Sequence, residues 1–216
     1  MNKKVRWIGF FALVFILTFA NDVGASFLIC QSDSTGYSEA RVVGSPPVCY
    51  YNKDSDKDYG ILEVCGDHNL PAGSESCKME VMMHFQAPED CYSFRIGAAW
   101  SLSYKIETTA PWYGYAYITI RYVLYDSDMS TAIETHSCGW AISCHTDWWG
   151  SDDSEYGTKS MSVDDYVLFQ FDLSSGTWYY AAVQLYITLD GEANAWSQSG
   201  YENPVYLDVA DIVVYN

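Results

Sequence analysis

Apolar and polar side chains alternate in the stretch WYYAAVQLYITL, which occupies residues 178–189. One side of the two-residue repeat carries Tyr179, Ala181, Val183, Leu185, Ile187 and Leu189. A period of two is that of a β-strand with one face in a core. The stretch therefore predicts a long strand, and its other face, which begins with Trp178, turns away from the core.

Four more segments alternate in the same way, at residues 78–85, 95–107, 115–125 and 167–173. Their predicted core sets are Met79, Val81, Met83 and Phe85; Ile96, Ala98, Trp100, Leu102, Tyr104 and Ile106; Ala116, Ile118, Ile120, Tyr122 and Leu124; and Val167, Phe169, Phe171 and Leu173. Shorter strands are predicted at 37–43, 60–65, 132–135 and 205–215. Strands joined by turns, with nearly no helix signal, predict a single all-β domain: a two-sheet antiparallel β-sandwich, jelly-roll-like, with an immunoglobulin-like sandwich as the alternative.

The first 25 residues have the pattern of a secretory signal peptide. A basic start is followed by an apolar run from Trp7 to Ala20, and small residues stand at Gly24 and Ala25. The apolar run is too short for a membrane-spanning helix, which needs about 20 residues. We therefore expect cleavage after Ala25, a β-sandwich domain over residues 26–216, no membrane span, and a secreted or cell-surface protein.

The chain is acidic, with a formal net charge of −17. Cleavage would remove three basic residues and one acidic residue and take the charge to −19. Such a chain repels phosphate backbones and anionic membranes, so we expect no nucleic-acid partner. The charge is compatible with cations, neutral glycans and basic proteins.

All seven cysteines lie after the predicted cleavage site, and exported cysteines are usually oxidised. The short spacing of Cys138 and Cys144 predicts a hairpin disulfide, and Cys77 with Cys91 is the second predicted pair. Because seven is odd, one thiol is left over; we expect this to be Cys30, which could link chains into a homo-oligomer. His136, Cys138, Cys144 and His145 could instead hold Zn²⁺, although a disulfide is favoured.

Two predicted strands carry aromatic rings on the face turned away from the core. Residues 115–125 place Tyr115, Tyr117 and Arg121 there, and residues 178–189 place Trp178, Tyr180, Gln184 and Tyr186 there. Rings mixed with hydrogen-bonding groups suit a sugar, which has an apolar face and a polar rim. The alternatives are a covering loop or a partner protein. Tryptophans near 112 and 148–149, in predicted loops, are candidate ligand-gripping tips.

An acidic run at residues 54–58 suggests a calcium site. Asp54, Asp56 and Asp58 alternate as in a calcium-binding loop, and Ca²⁺ takes six to eight oxygen ligands. The run is not an EF-hand, because Tyr59 stands where the turn glycine is expected and Cys65 where the last glutamate is expected. We expect, if anything, a structural Ca²⁺, the alternative being a solvated turn.

Catalytic motifs are absent from the sequence: it has no Gly-x-Ser-x-Gly, His-Glu-x-x-His or phosphate-cradling glycine loop. A glycosidase needs two carboxyls facing each other across a cleft. Glu107 and Glu134 are the candidates near predicted strand ends. The chain is therefore expected to be non-catalytic, with a jelly-roll glycoside hydrolase as the weakest alternative.

The C-terminal segment PVYLDVADIVVY, residues 204–215, resembles the closing strand of galactose-binding-like jelly rolls and carbohydrate-binding modules. The resemblance implies a sandwich and often a structural Ca²⁺ at this strand, which makes Asp208 a candidate ligand. The leading hypothesis is a secreted binding domain for neutral carbohydrate. A structural surface or filament protein, with another extracellular protein on its aromatic face, is the second.

Overall fold

The computed structural model describes residues 28–31, 39–43, 49–55, 60–110, 112–196 and 205–216. All eleven elements in these ranges are β-strands: β1 (Leu28–Gln31), β2 (Glu39–Val43), β3 (Cys49–Ser55), β4 (Gly60–Gln86), β5 (Cys91–Thr108), β6 (Gly114–Asp126), β7 (Ala132–Thr146), β8 (Asp153–Met161), β9 (Val167–Leu173), β10 (Trp178–Trp196) and β11 (Val205–Tyr215). Every pairing between them is antiparallel. The predicted all-β, two-sheet antiparallel sandwich is confirmed.

The front sheet has the order β2-β4-β10-β6-β7. Its centre is the pairing of β10 with the second half of β4 on one side and with β6 on the other. Val183 is opposite both Val81 and Tyr122, which fixes the register across three strands. The two long aromatic strands predicted from the sequence, β6 and β10, are therefore neighbours.

The back sheet is built around β5 and β11. Strand β5 pairs with β11 on one side and with β8 and β9 on the other, and β11 pairs with residues 60–64 of β4, which in turn pair with β3. Strands β4 and β10 belong to both sheets, because residues 193–196 of β10 pair with β5 after residues 178–191 have paired with β6. The two layers are thus joined by shared strands.

The core lies between the two sheets and contains the predicted apolar sets. Every member of the sets predicted on β4, β5, β6 and β10 is buried, with Tyr104, at 8 %, the most exposed. On β9, Phe169 and Leu173 are buried, while Val167 and Phe171 pack against the core as partly buried residues. Burial of a large apolar side chain contributes about 1.5–3 kcal/mol, so these alternating sets account for the stability of the sandwich.

Several strand assignments differ from the sequence prediction. Strand β7 continues to Thr146 instead of ending near residue 135, β10 continues to Trp196, and the strands predicted at 60–65 and 78–85 form one strand, β4. Strands β1, β3 and β8 were not predicted at all. The side chains of β8 are mostly exposed, so it lacks the apolar alternation that marks a half-buried strand. Strand β3 includes Asp54, which pairs with Ile61; the acidic run was expected to be a loop, and this part of it is a strand.

The predicted signal peptide, residues 1–25, lies outside the described residues, as do Asp56 and Asp58. Among the residues that are described, no helix is long and apolar enough to cross a membrane.

Candidate functional site

The outer surface of the front sheet carries a continuous aromatic face. We use this name for the outward side chains of β6 and β10 and of the part of β4 that flanks them. The register places Tyr117 opposite Thr188, Arg121 opposite Gln184, and Tyr186 opposite both Thr119 and Lys78. Directly opposed residues in an antiparallel pair point to the same side. The predicted residues of both strands therefore share one surface.

The ring of Tyr186 on β10 has two cationic side chains against it. The guanidinium carbon of Arg121 lies 3.9 Å from the centroid of its ring, and Lys78 Nζ lies 5.7 Å from the same centroid. Hydrogen bonding with Thr188 lowers the pKa of the Tyr186 hydroxyl, and Ser76, Arg121 and Lys78 act in the same direction against the effect of burial. The hydroxyl thus lies in a polar, cationic environment.

From Tyr186 a series of rings leads to one end of the sandwich. Tyr117 meets Tyr186 edge-on at 6.4 Å between centroids, and Tyr115 stacks on Tyr117 at 6.4 Å. His145 on β7 contacts both Tyr115 and Tyr113. Burial, followed by the nearby tyrosines, raises the pKa of Tyr115. All of these rings are at least partly exposed, so the series presents ring surface to solvent.

The predicted tryptophan tips lie at this same end. Trp112 and Trp148 meet edge-on at 5.7 Å, and both are about half exposed. Trp149 is 85 % exposed and has a φ of 70°, a conformation that is uncommon for a bulky residue. Its turn is closed by a hydrogen bond from Gly150 N to Asp147 O at 2.9 Å. Trp148 and Trp149 therefore stand at an exposed tip and are not buried under a loop.

Three stacked rings occupy the other end of the aromatic face. His84 on β4 lies between Trp178 and Tyr180, at 4.3 Å from the centroid of each. Burial lowers the pKa of His84, which favours the neutral imidazole and suits an aromatic stack. Trp178 is 44 % exposed and offers the outermost ring.

Between the two ends the face has a buried polar floor. Glu80 is fully buried, and its Oε1 accepts hydrogen bonds from the Tyr125 hydroxyl at 2.5 Å and from Gln184 Nε2. Gln184 is only 4 % exposed, and its Oε1 has no hydrogen-bond partner. We expected Gln184 to hydrogen-bond a ligand at the surface, but it lies beneath the exposed rings and supports them through Glu80.

Lys78, Glu80 and His84 belong to this site and were not predicted. The alternation of residues 78–85 was interpreted only for its apolar side, and the opposite side carries these three residues. These three residues can be assigned to the aromatic face only when it is known that β4 lies beside β10. That pairing joins residues 104 positions apart and cannot be deduced from local periodicity.

The predicted disulfide between Cys138 and Cys144 is wrong. Both are free, buried thiols on the single strand β7, six residues apart. A bulge shortens this stretch of β7, since Cys144 is opposite Ala116 while Ser137 is opposite Arg121. At about 3.3 Å per residue along β6, the Cα atoms of the two cysteines are still separated by roughly 13 Å, beyond the distance of about 7 Å that a disulfide can bridge. His136 and His145, on the same strand, are also too far apart to complete a zinc site.

The predicted pairing of Cys77 with Cys91 is also wrong, because Cys91 is a free thiol. Cys77 pairs with Ile187 well inside β4, nine residues before the strand ends at Gln86, whereas Cys91 begins the next strand opposite Leu173. The prediction placed a short strand between the two cysteines, and the actual strand is much longer.

Glu107 and Glu134 do not form a catalytic pair. Glu107 is ion-paired with Lys105 at 2.6 Å, and the adjacent Thr108 is hydrogen-bonded to Thr146 at the end of β7. Glu134 is opposite Leu124 and Thr146 is opposite Gly114, so Glu134 lies roughly 30 Å from that point, whereas glycosidase carboxyls are about 5–10 Å apart. Glu134 instead contacts His136 and accepts from Gln170 N.

Asp208, the candidate calcium ligand on β11, is partly buried, and its Oδ1 has no hydrogen-bond partner. Burial raises the pKa of this carboxyl. Asp54 lies two strands away in the same row, since Ile61 pairs with both residues. Within the described part of the chain, no group of three or more His, Cys, Asp or Glu side chains is arranged to hold a metal ion.

The chain matches no known family model and no curated protein. Similar solved structures include a carbohydrate-binding module of Cellvibrio mixtus lichenase 5A in complex with cellotriose, at 11 % identity and a TM-score of 0.27, covering 88 % of this chain and 98 % of that one. A mannan-recognising carbohydrate-binding module, TmCBM27, has 13 % identity and a TM-score of 0.34, with 89 % and 99 % covered.

The adhesin domain of Epf from Streptococcus pyogenes has 9 % identity and a TM-score of 0.32, with 77 % of this chain and 46 % of that chain covered. Carbohydrate-binding modules, the class that the C-terminal strand resembles, are thus among the similar structures.

Proposed function

We propose that this chain is a secreted, non-catalytic domain that binds an oligosaccharide on its aromatic face. The observation that carries the proposal is the unbroken contact series from Tyr186 through Tyr117 and Tyr115 to His145, in which each ring is partly exposed. Arg121 and Lys78 add hydrogen-bond donors beside these rings. Sugars bind to such mixtures because their C–H faces stack and their hydroxyls hydrogen-bond.

The floor of the face explains how these rings are held in place. Glu80 ties β4 to Gln184 on β10 and to Tyr125 on β6. A second apolar cluster of Met82, Val123, Tyr125 and Ala182 lies on this outer side of the sheet, with Met129 and Tyr180 packed against it. Binding surfaces mounted on strands with fixed rotamers lose little entropy when a ligand arrives.

A glycan-array screen, repeated with Ca²⁺ and with EDTA, tests the proposal. Selective binding by the native protein, and its loss in Tyr117→Ala and Tyr186→Ala, is expected. A stacking contact of about 0.5–1.5 kcal/mol corresponds to roughly a three- to tenfold loss for each ring. The matched control is Tyr156→Ala, since this tyrosine is 65 % exposed on β8 of the back sheet.

Unchanged binding in both aromatic-face variants would show that the ligand binds elsewhere. A silent array would contradict the proposal. If the protein also formed oligomers that reductant dissociates, the predicted alternative of a structural surface protein would take its place.

A further inference from the structure

Two cationic side chains converge on one ring of the aromatic face from opposite sides. Strand β10 lies between β4 and β6, so Lys78 approaches Tyr186 from one neighbour and Arg121 approaches it from the other. Their charged groups lie 5.7 Å and 3.9 Å from the ring centroid. All three side chains are partly buried, which makes this a formed site and not a pair of freely solvated cations.

Neither cation has a carboxylate partner among the residues that the structure describes. The chain has 28 acidic residues against 11 basic ones. Lys105 on the back sheet, by contrast, is ion-paired with Glu107 at 2.6 Å. Glu80 lies in the floor of the aromatic face, where its Oε1 serves Tyr125 and Gln184. Asp190, opposite Tyr115, lies four residues along β10 from Tyr186.

The side chains of Lys78, Tyr186 and Arg121 together suit an oxyanion as their ligand. A guanidinium offers a planar pair of N–H donors that matches a carboxylate, and an ammonium adds a second positive charge. The Tyr186 hydroxyl, with Thr188 and Ser76 beside it, adds neutral polar groups of the kind that bind sugar hydroxyls. Two partly buried cations lose hydration and repel each other, and an anion bound between them offsets both costs.

We propose that Lys78, Tyr186 and Arg121 form a subsite for a carboxylate-bearing sugar, a uronate unit within an otherwise neutral saccharide. This inference rests on the proposed function and changes the ligand class from wholly neutral to acidic at one position. The strongly negative chain repels a polyanion, but a single carboxylate at this subsite meets two cations within the Debye length of about 8 Å.

Paired oligosaccharides provide the test. The native protein is titrated calorimetrically with glucuronoxylan oligosaccharides, oligogalacturonates and alginate oligosaccharides, each beside its carboxyl-reduced, neutral counterpart. At least one acidic form is expected to bind about tenfold or more tightly than its reduced form, since charge-assisted hydrogen bonds contribute about 1.5–3 kcal/mol. This preference should shrink in 0.5 M salt, because the Debye length falls from about 10 Å at 0.1 M towards about 3 Å at 1 M.

Substitutions of Arg121 and Lys78 test whether the preference for the acidic form arises at this subsite. Arg121→Gln and Lys78→Gln are each expected to lower the affinity for the acidic form much more than that for the reduced form, so that the ratio of the two affinities falls towards one. Arg121→Lys keeps the charge and should retain part of the preference, which distinguishes lost charge from lost folding. Lys105→Gln, on the back sheet, is the control and should change neither affinity.

The outcomes separate this inference from the proposed function. Equal binding of the acidic and reduced forms by the native protein overturns the uronate subsite and leaves saccharide binding intact. Equal or tighter binding of a sulfated, carboxylate-free oligosaccharide overturns the choice of carboxylate. Failure of every pair to bind, together with a silent array, overturns both.

Discussion

Gly191 lies directly against the carbonyl oxygen of Tyr113: a Cβ on Gly191 would be 2.1 Å from that oxygen. Gly191 also has a φ of 65° and stands at the bulge where β10 leaves the front sheet. The close approach holds the segment before β6, with Tyr113, against β10. One glycine therefore links the change of sheet in β10 to the aromatic end of the binding face.

Gly191→Ala is expected to destabilise the protein and to displace Tyr113 from His145. Both the backbone strain and the collision contribute, together about 2–4 kcal/mol, measured by urea denaturation. The matched control is Gly176→Ala, since Gly176 has a φ of 78° but nothing within 4 Å of its Cβ position. If the two variants lose the same stability, the contact with Tyr113 has no energetic importance.

The bond between Tyr125 and Glu80 is expected to couple stability to the binding face. Tyr125→Phe removes a donor to a buried carboxylate and should cost about 1–3 kcal/mol. A double-mutant cycle with Glu80→Met, which has no carboxylate or amide oxygen to accept the bond, measures the coupling, which should exceed roughly 0.5 kcal/mol for groups in contact. Tyr92→Phe, at a tyrosine 60 % exposed, is the control. Additive effects of the two changes would contradict a direct interaction.

These positions show which parts of the molecule the sequence can reveal. Alternation predicted the core face of β10 and the exact bounds of β9, because consecutive residues of a half-buried strand face core and solvent in turn. Strand β8 lacks this pattern, since adjacent residues on opposite sides of it, such as Glu155 and Tyr156, are both exposed. The floor residue Glu80 was missed for a different reason. Its role depends on a partner in β10, and no local pattern encodes that partner.

The thiols of Cys138 and Cys144 are expected to be free and unreactive in the folded protein. Burial, with Asp153 next in importance, raises the pKa of Cys144 to about 12, and burial also raises the pKa of Cys138. Because the thiolate is the reactive form, iodoacetamide at pH 8 should label neither residue until denaturant is added. Partly buried Cys91 is the internal control and should be labelled earlier. A disulfide-linked peptide containing both residues, found by mass spectrometry without reductant, would contradict the structure.

Asp208 gives a pH-dependent prediction with a definite sign. Burial raises the pKa of this carboxyl, so its contribution to stability is complete below the unfolded-state pKa of about 3.9 and is lost as the pH rises through the folded-state value. Asp208→Asn should therefore raise the urea midpoint at pH 7, and this gain should disappear near pH 3. Asp172→Asn removes the same charge from an exposed site of β9 and should have little effect.

The same variant tests the proposed structural calcium. If Ca²⁺ binds at Asp208, about 1 mM of the ion should raise the melting temperature of the native protein, as expected for extracellular sites. Asp208→Asn would then lose that increase and become less stable than the native protein in calcium. No calcium effect on either protein would exclude Asp208 as a ligand.

Because both sheets share β4 and β10, the sandwich can fold completely only after β10 has been synthesised. Glu80 and Gln184 meet across β4 and β10, yet they are 104 positions apart. On the ribosome, β4 emerges long before its partner has been synthesised, with the apolar side of Met79 to Phe85 still uncovered. Neither layer can be completed until β10 is available, so a nascent or truncated chain lacking it carries an unprotected apolar strand. Such a chain depends on chaperones or is prone to aggregation until synthesis is nearly finished.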